Sequence, residues 1–261
     1  KTMTSLIFMY HDLADCVDSV SAGHKPYVLD ADGFALQMAL VVRHRLPVVT
    51  VAQVSGGYRA ERAIALTFDD GHVSNHDLAF PILCEHGFKA TFFITAGFIG
   101  SGMTMNWGQI RALHAAGMEI GSHTLTHRPP STLSDEELRQ ELVKSRQILE
   151  DGLGAPVTSI SSPTGFFNPR MCAIAREVGY KALCFGRIGL VQTNTDPFSL
   201  HRIAVKRTMG QEQFEALLQF DRAVIRGLML RELVRDLARK TLGPRFYLPL
   251  RQALLSRFAS K

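Results

Sequence analysis

Ile64-Ala65-Leu66-Thr67-Phe68-Asp69-Asp70-Gly71 is the stretch on which the fold turns. Its first five residues are all apolar or β-branched, too few for a helix and without a polar face. Such a run reads as a strand buried on both sides, and the acidic pair and glycine stop it. Runs of the same kind recur outward in both directions, at Leu6–Tyr10, Ala90–Ile94, Glu119–Gly121, Ser159–Ser162 and Lys181–Phe185. Between them lie stretches of helical periodicity: Phe34–Arg45, Asn75–His86, Trp107–Ala116, Ser134–Leu149 and Pro169–Val178. Several helix ends have a mechanism. Ser134-Asp-Glu-Glu137 is a capping box, Gly117 and Gly179 stand just past helix ends, and Pro169 suits a first turn. Short strands alternating with helices predict a mostly parallel sheet covered by helices. The pattern alone leaves barrel and open sheet both standing.

The 261 residues suffice for one large core, and 46% hydrophobic with 20% charged residues describe an ordinary folded chain. The net charge of +5 is uneven. Residues 222–261 hold ten Lys/Arg against Glu232 and Asp236, a net +8, so the first 221 residues carry −3. The body therefore has no basic stripe interleaved with aromatics, and a nucleic-acid partner is not expected. Cys16, Cys84, Cys172 and Cys184 form no CxxC pair and read as buried free thiols. The N-terminus runs straight into an apolar strand with no signal-peptide pattern, which gives the expectation of a cytoplasmic location or one peripheral to a membrane.

In such folds the site lies at the carboxyl ends of the strands. Three of them end in chemistry-bearing residues: Asp69-Asp70-Gly71, Ser122-His123-Thr-Leu-Thr-His127, and Pro163-Thr164-Gly165. Asp70-Gly71 alone would be an ordinary turn. With His123 and His127 it becomes a set of one carboxylate and two imidazoles, which holds a metal ion and leaves a position open for water or substrate. Gly121-Ser122 before and Pro129-Pro130 after the histidines argue for a strand end followed by a loop. Two adjacent acids on an extended segment face opposite ways, so one can meet the metal and the other a water.

Leu66-Thr-Phe-Asp69-Asp70-Gly71 and Gly121-Ser-His123-Thr-Leu-Thr-His127, with about 50 residues between them, resemble the first two motifs of the polysaccharide deacetylases (NodB-like, carbohydrate esterase family 4). Leu6-Ile-Phe-Met-Tyr10-His11 and Ala90-Thr-Phe-Phe-Ile94 are similar to two of that family's core strands, and the resemblance covers about residues 5 to 220. It implies a distorted (β/α)7 TIM-like barrel in residues 1–220, an α/β fold, followed by a helical tail. It implies one divalent metal ion, zinc first, with cobalt or another ion as alternatives. The activity implied is removal of an acetyl group, N-acetyl first, from a polysaccharide, oligosaccharide or lipid-linked glycan. By position Asp70, His123 and His127 are the ligands and Asp69 is the base acting on metal-bound water. The backbone N–H of Thr164 helps hold the oxyanion, and Pro163, Phe166 and Arg202 line the substrate.

The resemblance has gaps. The family's third motif often reads Arg-x-Pro-Tyr-Gly, whereas Ser161-Ser-Pro-Thr-Gly165 keeps only the proline and glycine, so Asp69 lacks the arginine that orients the base in relatives. Another residue substitutes, or activity is altered. Ser199-Leu-His201-Arg202-Ile203 is the nearest match to the late segment carrying the general acid, which makes His201 the candidate acid against a plain surface histidine. Two other readings stay open: a non-catalytic glycan-binding protein on this scaffold, and a hydrolase of formyl or cyclic amides. Trp107 is assigned to helix packing rather than to sugar stacking. Residues 221–261 read as a basic amphipathic helical tail, with Leu228, Leu230, Leu233, Leu237 and Leu242 among arginines, fit either for an anionic membrane surface or for packing on the barrel.

Overall fold

In the computed structural model, which describes residues 3–15, 25–58, 60–234 and 237, the strand quoted first is flanked by strands on both sides within a nine-stranded sheet. The strands are β1 (Thr4–Tyr10), β2 (Asp12–Ala14), β3 (Val28–Asp30), β4 (Val48–Val49), β5 (Arg62–Phe68), β6 (Thr91–Ile94), β7 (Glu119–Ser122), β8 (Ser159–Ser161), β9 (Ala182–Cys184), β10 (Val191–Gln192) and β11 (Ile203–Ala204). The helices are α1 (Ala31–His44), α2 (Val51–Ser55), α3 (Phe80–Glu85), α4 (Trp107–Ala115), α5 (Asp135–Leu153), α6 (Pro169–Val178) and α7 (Gln211–Leu218). β2 and β3 form a separate small parallel pair.

The sheet runs β1-β5-β6-β7-β8-β9, with every one of these neighbours parallel. Their carboxyl ends therefore gather on one face. Closure comes from one stretch of chain. Leu200 bridges Cys184 at the β9 edge, and three residues later Ile203 and Ala204 pair with Phe8 and Met9 of β1. This makes the sheet the expected distorted TIM-like barrel, with β10 antiparallel beside the start of β1.

Side chains alternate across each strand, so parity decides which ones enter the barrel. Ile7, Ala63, Ala65, Phe93, Ala182, Cys184, Val191 and Leu200 form the buried interior cluster. The opposite parity faces the helices, where Phe68 stacks on Phe92 at 4.8 Å and on Tyr10 at 5.3 Å, and Tyr10 meets Phe34 edge-on. Continued by two residues, the inward series of β5 reaches Thr67 and then Asp69, and the inward series through Leu200 reaches Arg202.

The expected helix Asn75–His86 begins instead with a π turn at Asn75–Ala79 before α3. Pro81 lies in the first turn of α3 and has no N–H to donate, which breaks the regular ladder there. Trp107 holds α4 against α5, because a Cβ at Gly152 would lie only 2.0 Å from its ring. Cys84 is exposed and Cys172 partly so, contrary to the expectation of buried thiols. Cys184 is buried, and burial pushes its thiol up to about 12.

The chain divides into two compact units, residues 1–220 and 221–261. In the second, residues 222–234 are helical, begun by Asp221, whose carboxylate accepts from the Ala223 amide at 2.7 Å. The rest of the expected tail helix lies outside the described residues, apart from Leu237. No helix among the described residues is long and apolar enough to cross a membrane.

Candidate metal centre and active site

Asp69 continues the β5 ladder, its amide donating to the Tyr10 carbonyl at 3.0 Å, and so inherits the inward direction of Ala65 and Thr67. Asp70 does not continue it. At φ 73°, followed by Gly71 at φ 76°, the chain turns sharply. The two acids diverge because Asp70 leaves the extended conformation, not because both lie on it as the sequence suggested. Aspartate tolerates the left-handed region better than most residues. Gly71 is needed on two counts: its positive φ, and the Ile94 side chain 3.2 Å from where a Cβ would stand.

His123 follows β7, its amide donating to the Ile94 carbonyl at 2.7 Å. Thr124 at φ 65° and His127 at φ 57° then curl the loop so that the two rings converge to 5.0 Å without any helix. Asp70 Oδ1 lies 3.3 Å from Nε2 of both histidines. Each of the three residues offers a ligand atom within 4.8 Å of the others. The donor set suits a divalent ion of the zinc or cobalt type. His123 Nδ1 is 3.1 Å from the Ser161 carbonyl and 2.5 Å from Ser161 Oγ, contacts that turn Nε2 toward Asp70. Burial works against ionising Asp70. The hydrogen bond and charge of His123, with His11 and His127, outweigh it and hold the carboxyl well below the usual range.

Asp69 is bound by Arg202. The guanidinium donates from both terminal nitrogens to both carboxylate oxygens at 2.7 Å, and further to Thr67 Oγ1 and the Phe185 carbonyl. Its face lies 5.5 Å from the Phe93 ring centre. Both partners are buried, Arg202 completely. Burial alone would raise the Asp69 carboxyl, but the Arg202 charge, helped by His123, reverses this and keeps it ionised. Ser161, which stands where relatives carry the orienting arginine, donates to Asp69 Oδ1 at 3.3 Å. The arginine has been supplied from the barrel's closing segment instead.

Arg202 was expected to line the substrate or to be a charge partner near the site; it is buried, and its charge is spent on Asp69. His201 has the opposite parity and turns away. Its ring lies against Gly189 and its charged neighbour is Arg187, so the structure does not bring it to the cluster. Pro163 is buried, and Thr164 sits at φ 64° in the tight turn after β8. Phe166 is 52% exposed and Phe167 46%, the latter edge-on to Phe185. Phe98 and Met103 are also exposed, on segments bonded to the ligand loops, Gly97 to Leu125 and Val73 to Met103. One site residue was missed. His11, immediately after β1, is close enough for its charge to act on Asp69, Asp70 and His127, and its buried Nδ1 has no hydrogen-bond partner. The signal available was its place at a strand's carboxyl end.

An Asp-His-His cluster at the carboxyl face of a parallel barrel, with a buried, arginine-held carboxylate beside it, is the kind of arrangement that could hold a metal ion. Residues 56–183 match the family model for polysaccharide deacetylases. It is 28% identical to YxkH of Bacillus subtilis over 160 residues, 61% of this chain and 57% of that protein. It is 30% identical to a peptidoglycan-N-acetylglucosamine deacetylase of Bacillus cereus over 124 residues, 47% of this chain and 56% of that one. The chain thus spans a little over half the length of these two relatives. Among solved structures, the deacetylase PplD of Streptococcus pyogenes, in complex with acetate, superposes with a TM-score of 0.75 at 23% identity, over 84% of this chain and 98% of that one. IcaB of Ammonifex degensii gives 0.72 at 21%, over 84% and 97%. At these identities the likeness is one of fold.

Proposed function

We propose that the chain is a metal-dependent hydrolase that removes acetyl groups, N-acetyl first, from a glycan of the cell envelope. The observation that supports this most is the pairing of two carboxylates with different tasks at one barrel face: Asp70 beside His123 and His127, and Asp69 locked to Arg202. Asp70, His123 and His127 would hold a divalent ion, which would supply Lewis acidity toward a carbonyl oxygen and acidify a water.

The chain's own residues do the rest. Asp69 stays ionised at neutral pH, and a carboxylate has lone pairs left after meeting Arg202, so it accepts the proton of the attacking water. The Thr164 amide, in its left-handed turn, donates to the oxygen on which charge develops. His11 protonates the departing amine, a role suited to its unpartnered ring nitrogen beside the acid pair. The exposed rings of Phe166 and Phe98 stack on sugar faces.

The test is acetate release from N-acetylglucosamine oligomers, peptidoglycan and an O-acetylated glycan by the zinc- or cobalt-loaded chain. Release from an N-acetylated substrate is expected. His11→Ala should cost about 10²–10⁴-fold in kcat with metal content unchanged. Glycan binding without acetate release from any of these substrates would overturn the proposal.

The tail extends it to a membrane-peripheral placement. Its helix exposes Met229, Leu230, Leu233 and Val234 within a strongly basic segment, the pattern of a helix lying on an anionic lipid surface. Co-sedimentation with phosphatidylglycerol vesicles but not with phosphatidylcholine vesicles is expected, lost in Leu230→Glu/Leu233→Glu. Equal recovery with both lipids would rule this placement out.

A further inference from the structure

The loop carrying both histidine ligands has a conformation that its own sequence does not favour. Thr124 and His127 are left-handed without being glycine. Such backbone persists only where its surroundings hold it. The carbonyl side of the loop is held from the turn after β6: the Ala96 amide donates to the Thr124 oxygen at 3.0 Å and the Gly97 amide to the Leu125 oxygen at 2.8 Å. Gly97 permits that approach, since a Cβ there would lie 2.5 Å from the Leu125 oxygen.

The amide side is held by one residue of α5. Glu141, only 7% exposed, accepts on Oε2 from the Leu125 and Thr126 amides at 2.9 and 2.8 Å, and on Oε1 from the Thr126 hydroxyl. All three donors belong to the loop between the two ligands. We propose that Glu141 is a positioning residue of the metal centre, whose carboxylate fixes the Thr124–Thr126 peptides in the turn that aims His127 at Asp70 and His123. It acts through Thr126, the neighbour of His127. This rests on the reading of Asp70, His123 and His127 as metal ligands.

The chemistry sets the order of effects. Glutamine keeps the shape but replaces one acceptor oxygen by an NH₂ group that cannot accept from the loop. Alanine removes every acceptor and leaves buried amides without partners. The experiment titrates the chelator-stripped chain with Zn²⁺ by calorimetry and records the visible spectrum with Co²⁺. Wild type should bind one ion. Glu141→Gln should bind about tenfold and Glu141→Ala about a hundredfold more weakly, with an altered Co²⁺ spectrum, the range found when a residue behind a ligand is lost. Thr126→Val, which deletes the hydroxyl alone, should weaken binding by a few-fold, and it keeps the test open if the alanine variant does not fold. Leu142→Ala, a core truncation on the same helix, should lower the melting temperature and leave metal affinity unchanged.

Wild-type affinity and spectrum in both Glu141 variants would overturn the proposal, as would an equal loss of affinity in Leu142→Ala. Failure of the wild type to bind either ion is a separate result, which would overturn the ligand assignment itself.

Discussion

Replacing Arg202 by methionine should lower the unfolding free energy by about 3–5 kcal/mol and deacetylation by about 10²-fold or more, while the ligand set still takes up its metal. The stability effect follows from what is left behind. Arg202 uses four of its five guanidinium donors, two of them on Asp69, inside a barrel where the guanidinium is fully buried and the carboxylate almost so. Methionine fills much of the volume but leaves the Asp69 carboxylate buried and without its cation. That is the costly way to break such a pair; removing both charges together is not. The double variant Asp69→Asn/Arg202→Met should therefore recover most of the stability lost in Arg202→Met, yet remain as inactive as Asp69→Asn. Lysine at 202 should be intermediate, since an ammonium is a point charge and cannot grip both oxygens at once. Urea unfolding midpoints, acetate release and bound metal per chain check the set. An Arg202→Met protein with wild-type activity would show that Asp69 does not act through this pair.

The candidate ligands were legible in the sequence because each sits in a short local pattern: Asp70 in a strand-stop-glycine motif, His123 and His127 on one loop. Their supports were not, because they come from far along the chain. Arg202 reaches Asp69 across 133 positions, and nothing near either residue announces the other. Its direction became readable only with the barrel, through the parity it shares with Leu200. The same parity turns His201 outward, so a motif match to the two-residue segment could not choose between the neighbours. The six main strands were legible as apolar runs; β4, β10 and β11, with two residues each, are too short to carry a pattern, yet β11 helps close the barrel. The helix α7 was also missed, its apolar face reduced to Phe214, Leu217 and Leu218. Asp70 shows the converse case. Its place beside His123 and His127 agrees with the sequence reading, while its direction comes from the left-handed turn that the Asp70-Gly71 pair allows and not from an extended segment.

Asp70→Asn and His127→Ala should each abolish stoichiometric metal binding and reduce acetate release by about 10³–10⁴-fold, the several kcal/mol of barrier that a bound metal supplies. The two variants isolate the ligand role from folding better than His123→Ala would. The His123 side chain is 3% exposed and bonded to Ser161, so its removal also opens a buried cavity, whereas Asp70 and His127 are 42% and 37% exposed. Their loss should leave the apo protein's melting temperature within a few degrees of wild type, because the Phe68–Phe92–Tyr10 stack and the barrel interior do not depend on them. The discriminating measurement is the melting temperature with and without added zinc. An ion that binds only the folded chain stabilises it by about 2.7 kcal/mol at a hundred times its dissociation constant. Wild type should therefore melt several degrees higher with zinc, and neither variant should respond. Chelation of the wild type should bring it to the variants' melting temperature and activity, and zinc or cobalt should restore both. A zinc-dependent rise of wild-type size in either variant would place the ion elsewhere and remove the basis for assigning Asp69 as its neighbouring base.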